Sequence, residues 1–349
     1  NKIVMVTGAG GSIGSELCRQ LLKLEPKSLI LFEINEFALY KIHQELEQLL
    51  VKNTQIFPIL GSIRDSNRLK KISKNFKINT IYHAAAYKHV PLVEHNNSEG
   101  ILNNIIGTMV LAKIAMNFDV ETFVFISTDK AVRPTNTMGA SKRVAELVLQ
   151  AYAKMNHNTC FTMVRFGNVL DSSGSVIPLF RDQIKNGGPV TVTDINMVRY
   201  FMTIPEAIEL VIQSGAMSNG GEVFVLDMGN PVKIFDLAVR MIELSGLVLK
   251  DKKRPDGDIE IKYTGLRPGE KLFEELLVGE NTSKTENPLI MSAEEDSIDW
   301  EILYPLIKKI EKAALESDFK LIREILLEVV PEYSPQCDIE DYLYQNNSN

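Results

Sequence analysis

The chain has 349 residues, 45% of them hydrophobic and 24% charged, with 21 Gly and 14 Pro. This length predicts two lobes or one large α/β unit, and this composition excludes a disordered, collagen-like or repeat-dominated chain. A net charge of −7 with scattered Lys and Arg offers nucleic acid no groove, and without 18 consecutive apolar residues the chain as given spans no membrane.

Three widely spaced cysteines (Cys18, Cys160, Cys337) fit reduced thiols in a cytosolic compartment better than a disulfide framework. Five histidines at unrelated spacings predict no metal site. The chain opens Asn1-Lys2 and enters an apolar run at Ile3, with neither Met nor a signal sequence. We read it as a piece cut just before a domain, with a membrane anchor as one candidate for what precedes it.

In chain order, Ile3–Val6 predicts a buried strand, followed by a Gly-rich turn and a helix over 13–24. Ser28–Phe32 predicts a strand and 36–50 a helix with Phe37, Leu39, Ile42 and Leu46 on its apolar stripe. Further strands are predicted at 55–60, 80–83, 122–126 and 159–165, separated by helices near 65–75, 90–117 and 137–156. Strands alternating with helices of this length imply right-handed crossovers and a doubly wound parallel sheet. After Phe166 the alternation loosens into strands at 189–193 and 220–227, a helix at 234–244 and a charged loop at 250–258. The stretch 300–330 is helical, and its apolar stripe predicts packing on the body or on a partner subunit.

The string Thr7-Gly8-Ala9-Gly10-Gly11-Ser12-Ile13-Gly14 lies between the first strand and the first helix, the context a dinucleotide site requires. Gly8 suits the tight turn, Gly11 the close approach of a pyrophosphate, and Gly14 the packing of helix on strand. Free N–H groups near Ser12 and Ile13 would take the phosphate charge. Glu33, 19 residues beyond Gly14, stands where a carboxylate accepts from both ribose hydroxyls, which favours NAD over NADP. Asp65, after Gly61-Ser62-Ile63-Arg64, reads equally as a contact to adenine or as a helix N-cap. Ala84, Ala85 and Ala86 after His83 are small enough for a cofactor to cross the sheet edge.

These motifs, with Asn104-x-x-Gly107-Thr108, Ser127-Thr128 and Lys142, resemble the extended short-chain dehydrogenase/reductase family over roughly residues 3–280. Tyr87-Lys88-His89-Val90-Pro91, Ser127-Thr128-Asp129-Lys130-Ala131, Arg165-Phe166-Gly167-Asn168-Val169 and Gly265-Leu266-Arg267-Pro268-Gly269-Glu270-Lys271 narrow this. They are similar to the UDP-N-acetylglucosamine 4,6-dehydratases, in the membrane-anchored branch that serves surface-glycan and protein-glycan synthesis of the bacillosamine type. The resemblance implies a Rossmann-type NAD-binding domain at 1–166, a smaller nucleotide-sugar lobe at 167–285 with strands that interleave, and a helical extension at 286–349. Ile63 and Asn104 join the cofactor contacts on the same ground. It also implies a homo-oligomer, at least a dimer, joined by the helices near 90–117 and 137–156, and a cytoplasmic catalytic domain held at an inner membrane.

The family usually carries Tyr-x-x-x-Lys, in which a phenolate takes the substrate proton and Lys lowers the phenol's pKa. Here the string is Met138-Gly139-Ala140-Ser141-Lys142. Residues i and i+4 share a helix face, but a thioether accepts no such proton, so Lys142 is left to bind the nicotinamide ribose and a water. Asp129 and Lys130 are the expected acid and base for water loss across C5–C6, with Lys130 neutral through burial or cationic neighbours. Thr128 would orient the substrate hydroxyl. Lys88, Asn168, Arg199, Arg267 and Glu270 are candidates for the nucleotide sugar, the two Arg for its diphosphate. The rival readings are a UDP-sugar 4-epimerase, which has no use for Asp129 and Lys130, and a non-catalytic NAD-binding scaffold, favoured by Met138.

Overall fold

Period-two alternation along the first strands decides how the sheet is covered. In the computed structural model, which describes residues 2–49, 54–155, 158–275 and 282–345, β1 (Ile3–Thr7) sends Val4 and Val6 to one face and Met5 to the other. After α1 (Ser12–Lys23), β2 (Ser28–Glu33) repeats this with Leu29 and Leu31 against Ile30 and Phe32. The chain continues through α2 (Glu36–Gln48), β3 (Gln55–Leu60), α3 (Ser66–Phe76) and β4 (Thr80–His83). The expected helix over 90–117 is divided into α4 (Val90–Glu94), α5 (Asn97–Ile101), a π-helical turn (Leu102–Gly107) and α6 (Thr108–Asn117). The widened turn carries Asn104 toward the loop after β4, the kind of functional placement π turns often serve.

β5 (Thr122–Ile126), a 3₁₀ turn (Asp129–Ala131), α7 (Thr137–Lys154) and β6 (Cys160–Arg165) complete the first half. Strand order is β3-β2-β1-β4-β5-β6, all parallel, so the direction of winding reverses between β1 and β4. Ligands bind such sheets at this switch point, outside the carboxyl ends of the strands.

The second half interleaves with the first. β7 (Asn168–Val169), α8 (Val176–Lys185), β8 (Val190–Val192), β9 (Val198–Arg199) and β10 (Phe201–Met202) lead outward, then α9 (Ile204–Met217) packs on α1 and β11 (Val223–Leu226) joins β6 in parallel. β12 (Val232–Lys233), α10 (Ile234–Leu244), β13 (Leu249–Lys250) and β14 (Ile259–Tyr263) return to the small lobe, whose own core includes Phe180, Ile184, Val190 and Ile242. β15 (Thr282–Lys284) and β16 (Ile290–Ala293) then extend the large sheet, β16 antiparallel to β11 and β15 antiparallel to β16. The short strands β7, β9, β10 and β12 were not among the predicted elements, because two-residue pairings leave no periodic pattern to read.

α11 (Trp300–Leu315) and α12 (Phe319–Val329) close the chain, α11 against α5 and α7 and α12 against α7. Leu303, Ile307, Ile310, Ile322 and Ile325 thereby join the large core. For α7 this differs from the expected dimer contact: Thr137–Tyr152 are buried within the single chain, against α11 and α12 as well as α4, α5, α6 and β6, which leaves only the helices near 90–117 of the two stretches expected to meet a partner.

Candidate active site

The Gly-rich loop runs from the end of β1 into α1. Gly8 adopts φ +68°, which side chains resist, and a Cβ on Gly14 would overlap the Gly8 carbonyl oxygen, so helix and strand approach as only glycine permits. Gly11 caps α1 without a side-chain acceptor, leaving the first N–H groups, at Ser12 and Ile13, beside the cleft. Gly8, Gly11 and the small residues Ala84 and Ala86 line one wall.

Next to it is a hollow of about 300 Å³ bounded by Phe32, Glu33, Ile63 and Ala85. Glu33 is buried, and its Oε2 accepts from Gly10 N at 3.0 Å while Oε1 accepts from Ile34 N and Asn35 N, each at 2.9 Å. The carboxylate therefore braces the Gly-rich loop as well as facing the hollow. Asp65 accepts from Arg68 N at 2.9 Å and caps α3, outside the hollow's lining.

Asn104 is a buried brace. Its side chain accepts from Tyr87 N and donates to Tyr87 O and Ser141 Oγ, tying the loop after β4 to α7. His83 sits between Thr7 and Thr108 at 2.8 and 2.9 Å, and burial holds it neutral well below its usual pKa.

Asp129, Lys130, Met138 and Lys142 converge at the carboxyl end of β5. Thr128, Lys130, Met138, Lys142 and Lys88 share one cavity of about 240 Å³ that also reaches Asn168. Thr128 Oγ1 donates to Asp129 Oδ1 at 2.9 Å and accepts from Lys130 N, so its proton is committed to Asp129. Lys130 Nζ lies 3.0 Å from Asp129 Oδ1 and 3.1 Å from Glu274 Oε1. Burial opposes the ammonium, but Asp129 and Glu274 outweigh it and hold Lys130 above its usual range. This differs from the neutral Lys130 expected from burial, and the cause is a second carboxylate. Burial, joined by Glu274, raises the Asp129 carboxyl against the pull of Lys130. Lys88 is lowered by burial and by Lys130.

Lys142 donates to Ile126 O at 2.6 Å and stands 3.7 Å over the Phe125 ring. Burial lowers it to about 7, opposed by Glu146 one turn further along α7. Glu146 is itself held charged against burial by Arg165 and Arg143 and by the Ser127 hydroxyl at 2.6 Å, a buried cluster that Glu295 completes. Met138 is buried beside Lys142, as the helix spacing predicts.

In the small lobe, Arg199 donates to the carbonyls of Val198, Lys271 and Leu272 and pairs with Glu270 and Glu274, which makes it a clamp on the 267–274 loop rather than a free phosphate donor. Glu270 accepts from Arg267 N at 3.1 Å. The exposed Arg267 guanidinium borders the lobe's hollow and makes no ion pair among the described residues. Among the described residues, the buried Asn168 Nδ2, Asp129 Oδ2 and Glu274 Oε2 have no hydrogen-bond partner, so three polar atoms stand unsatisfied around one ammonium. Glu274 is the participant sequence reading missed. Among the described residues no cluster suits a metal ion, and no helix is long and apolar enough to cross a membrane.

Sheet order, glycine loop and the row along β5 and α7 define an extended short-chain dehydrogenase/reductase of the nucleotide-sugar epimerase and dehydratase class. Within it, the chain belongs to the polysaccharide biosynthesis protein family, which matches residues 4–295. It is 54% identical over 277 residues to the capsular polysaccharide biosynthesis protein CapD of Staphylococcus aureus (79% of this chain, 45% of that protein). It is 48% identical over 309 residues to the probable polysaccharide biosynthesis protein EpsC of Bacillus subtilis (88% and 50%). It is 46% identical over 282 residues to the uncharacterized membrane protein MJ1061 of Methanocaldococcus jannaschii (80% and 81%). The chain thus spans about half the length of the first two. Pen from Bacillus thuringiensis superposes with a TM-score of 0.74 at 34% identity, covering 88% of this chain and 97% of Pen. DesIV of Streptomyces venezuelae, a dTDP-glucose 4,6-dehydratase with NAD bound, shares the fold at a TM-score of 0.64 and 22% identity (78% and 87% covered).

Proposed function

We propose that this chain is the catalytic part of an NAD-dependent UDP-N-acetylglucosamine 4,6-dehydratase, forming UDP-4-keto-6-deoxy-N-acetylhexosamine for bacterial glycan synthesis of the bacillosamine type. The observation that carries this reading is the buried Asp129–Lys130 pair, whose lysine lines the cavity that holds Met138 and Lys142 while Asp129 lies behind it at 3.0 Å. A 4-epimerase has no step that uses such a pair, and a scaffold has no reason to bury one at a cost in desolvation. The relatives named for polysaccharide biosynthesis support the setting.

The donor set fits NAD. The uncapped start of α1 suits its diphosphate, Glu33 the adenosine ribose, Ile63 the adenine and Lys142 the nicotinamide ribose. When bound, NAD supplies a hydride acceptor at C4 and a donor at C6 and ends each turnover unchanged. The small lobe, with Asn168, Arg267 and Glu270, takes the nucleotide sugar, and Lys88 of the large lobe lines the cavity where Asn168 and Lys130 meet.

The proton steps are assigned to the side chains as follows. The C4 hydroxyl proton passes through a water to Lys142, whose amine is neutral above about pH 7. Lys130 first hands its proton to Asp129 across their 3.0 Å contact, giving a neutral base and a neutral acid. The C5–H bond, acidified by the C4 carbonyl, breaks toward Lys130. The C6–O bond then breaks and Asp129 protonates the departing hydroxyl. Lys130 returns its proton to C5 as hydride reaches C6, and one proton from Lys142 restores Asp129. The proton of the C4 hydroxyl thus replaces on Asp129 the one that left in the water.

Incubation of the purified protein with UDP-N-acetylglucosamine and NAD should give a product lighter by one water, with C5 configuration retained in its proton NMR spectrum. An isomer of unchanged mass would make the protein an epimerase, and no conversion with NAD bound would make it a scaffold. The protein should also prefer NAD to NADP at least about tenfold, a difference of ~1.4 kcal/mol. Glu33→Ala should narrow that ratio and weaken both cofactors, since it also frees Gly10 N. Equal affinities by calorimetry would remove Glu33 from the ribose site.

We place the catalytic domain on the cytoplasmic side of an inner membrane, anchored by a segment outside this chain, a reading supported by the membrane-protein name of the archaeal relative. Homo-oligomerisation, at least to a dimer, then uses a face other than the one α11 and α12 cover.

A further inference from the structure

We propose that Glu274 is a positioning residue for the elimination, fixing the Lys130 amine between two carboxylates so that one proton stays shared between Lys130 and Asp129. This rests on the dehydratase reading and adds a member to its acid–base group.

Glu274 Oε1 lies 3.1 Å from Lys130 Nζ, Asp129 Oδ1 lies 3.0 Å from it, and Asn168 Oδ1 approaches at 3.5 Å. Three oxygens thus fix the direction of the lysine's hydrogens, and a base aimed at one carbon needs that definition. Glu274 is buried and belongs to the small lobe, whereas Asp129 and Lys130 follow β5 of the large sheet. Arg199 holds the same loop through the carbonyls of Lys271 and Leu272 and places its Nε 3.5 Å from Glu274. The loop that carries the sugar-site candidates Arg267 and Glu270 therefore also carries the counter-charge of the base.

The charged groups around this centre are Asp129, Lys130 and Lys88 from the large lobe, and Arg199, Glu270, Lys271 and Glu274 from the small one. Glu274 stays ionised against its burial through Lys130 and Arg199. With Lys130, Arg199 and both carboxylates charged, the core of the group sums to zero, and a proton crosses from Lys130 to Asp129 within a neutral group. Neutralising Glu274 breaks that balance. Lys130 then gives up its proton at lower pH, and Asp129 also becomes more acidic, because both feel the same lost negative charge.

The test is Glu274→Gln, close in shape, with Glu274→Asp beside it. In protein labelled with ¹³C at the lysine ε-carbon, the Lys130 signal, assigned by its absence in Lys130→Met, should titrate about one pH unit or more lower in Glu274→Gln than in the parent. This measurement uses no substrate, so it holds whatever reaction the enzyme performs. With UDP-N-acetylglucosamine, the alkaline limb of the kcat profile, where the proton shared by Lys130 and Asp129 is lost, should move to lower pH and kcat should fall more than KM rises, with partial recovery in Glu274→Asp. An unchanged Lys130 titration would overturn the proposal. So would a loss of activity in Glu274→Gln with the alkaline limb in place, since that pattern belongs to a residue that only holds the loop. Failure of the parent to release water, with the Lys130 titration shifted as expected, would overturn the dehydratase reading and leave the charge coupling standing.

Discussion

Lys130→Met and Asp129→Asn are each expected to lower product formation by roughly 10²–10⁴-fold, the range over which positioned acids and bases act, while NAD affinity stays within about a factor of two. The two variants should fail at different points. Without Lys130 the C5 proton has no acceptor, so C5 should no longer exchange with solvent deuterium. Asp129→Asn removes the acid for the C6 hydroxyl and also the acceptor of the Lys130 proton, so water is retained and exchange at C5 should slow too, recovering at higher pH, where Lys130 loses its proton to solvent. Lys130→Met should also be less stable, because it leaves Asp129 and Glu274 buried without their shared cation, and breaking a buried pair in this way costs about 3–5 kcal/mol. That loss should shrink at lower pH, where one carboxyl takes a proton. The sign follows from Asp129, whose raised pKa lets it neutralise before an ordinary carboxylate does. Near-normal turnover in both variants would return the pair to a structural role.

How far the sequence carried depends on whether a residue's task is local. β3, β4 and β5 fall at the residues predicted for them, because each is a short β-branched or aromatic run bounded by turn residues. The Gly-rich loop was legible for the same reason: its glycines answer to contacts within one strand–turn–helix unit. Glu274 was not. It stands three residues beyond Lys271, where the quoted motif ends, in a Glu-Glu pair that reads as a solvated turn. Only the return of the small lobe onto the loop after β5 puts it beside Lys130. Arg199 shows the converse, a residue whose type suggested phosphate and whose donors are spent on carbonyls of its own lobe. The covered face of α7 likewise follows from a contact between residues about 150 positions apart, which no window of sequence reports.

The missing tyrosine sets the other large expected effect. The C4 hydroxyl proton must leave as hydride departs, and Met138 has no site for it. Lys142 is one turn further along the same helix, buried beneath the cavity and lowered to about 7 by that burial. A lysine in this state is a competent acceptor through one water, whereas an ordinary lysine is already protonated at neutral pH. Lys142→Ala should therefore abolish detectable turnover, a loss of at least about 10³-fold, as it removes both the acceptor and a ribose contact. Met138→Ala should cost far less, about tenfold, since the space it frees admits water. The pH dependence separates two roles for Lys142. If the neutral amine takes the proton, kcat/KM of the parent should rise as pH increases through about 7, the pKa of the free enzyme's base. If Lys142 instead acts as a cation that favours proton loss to Asp129, kcat/KM should fall over the same interval. A falling profile would move the C4 proton to Asp129. A Met138→Ala variant as inactive as Lys142→Ala, with fold and NAD binding intact, would show that the thioether shapes the sugar pocket and that space for a water is not what limits the reaction.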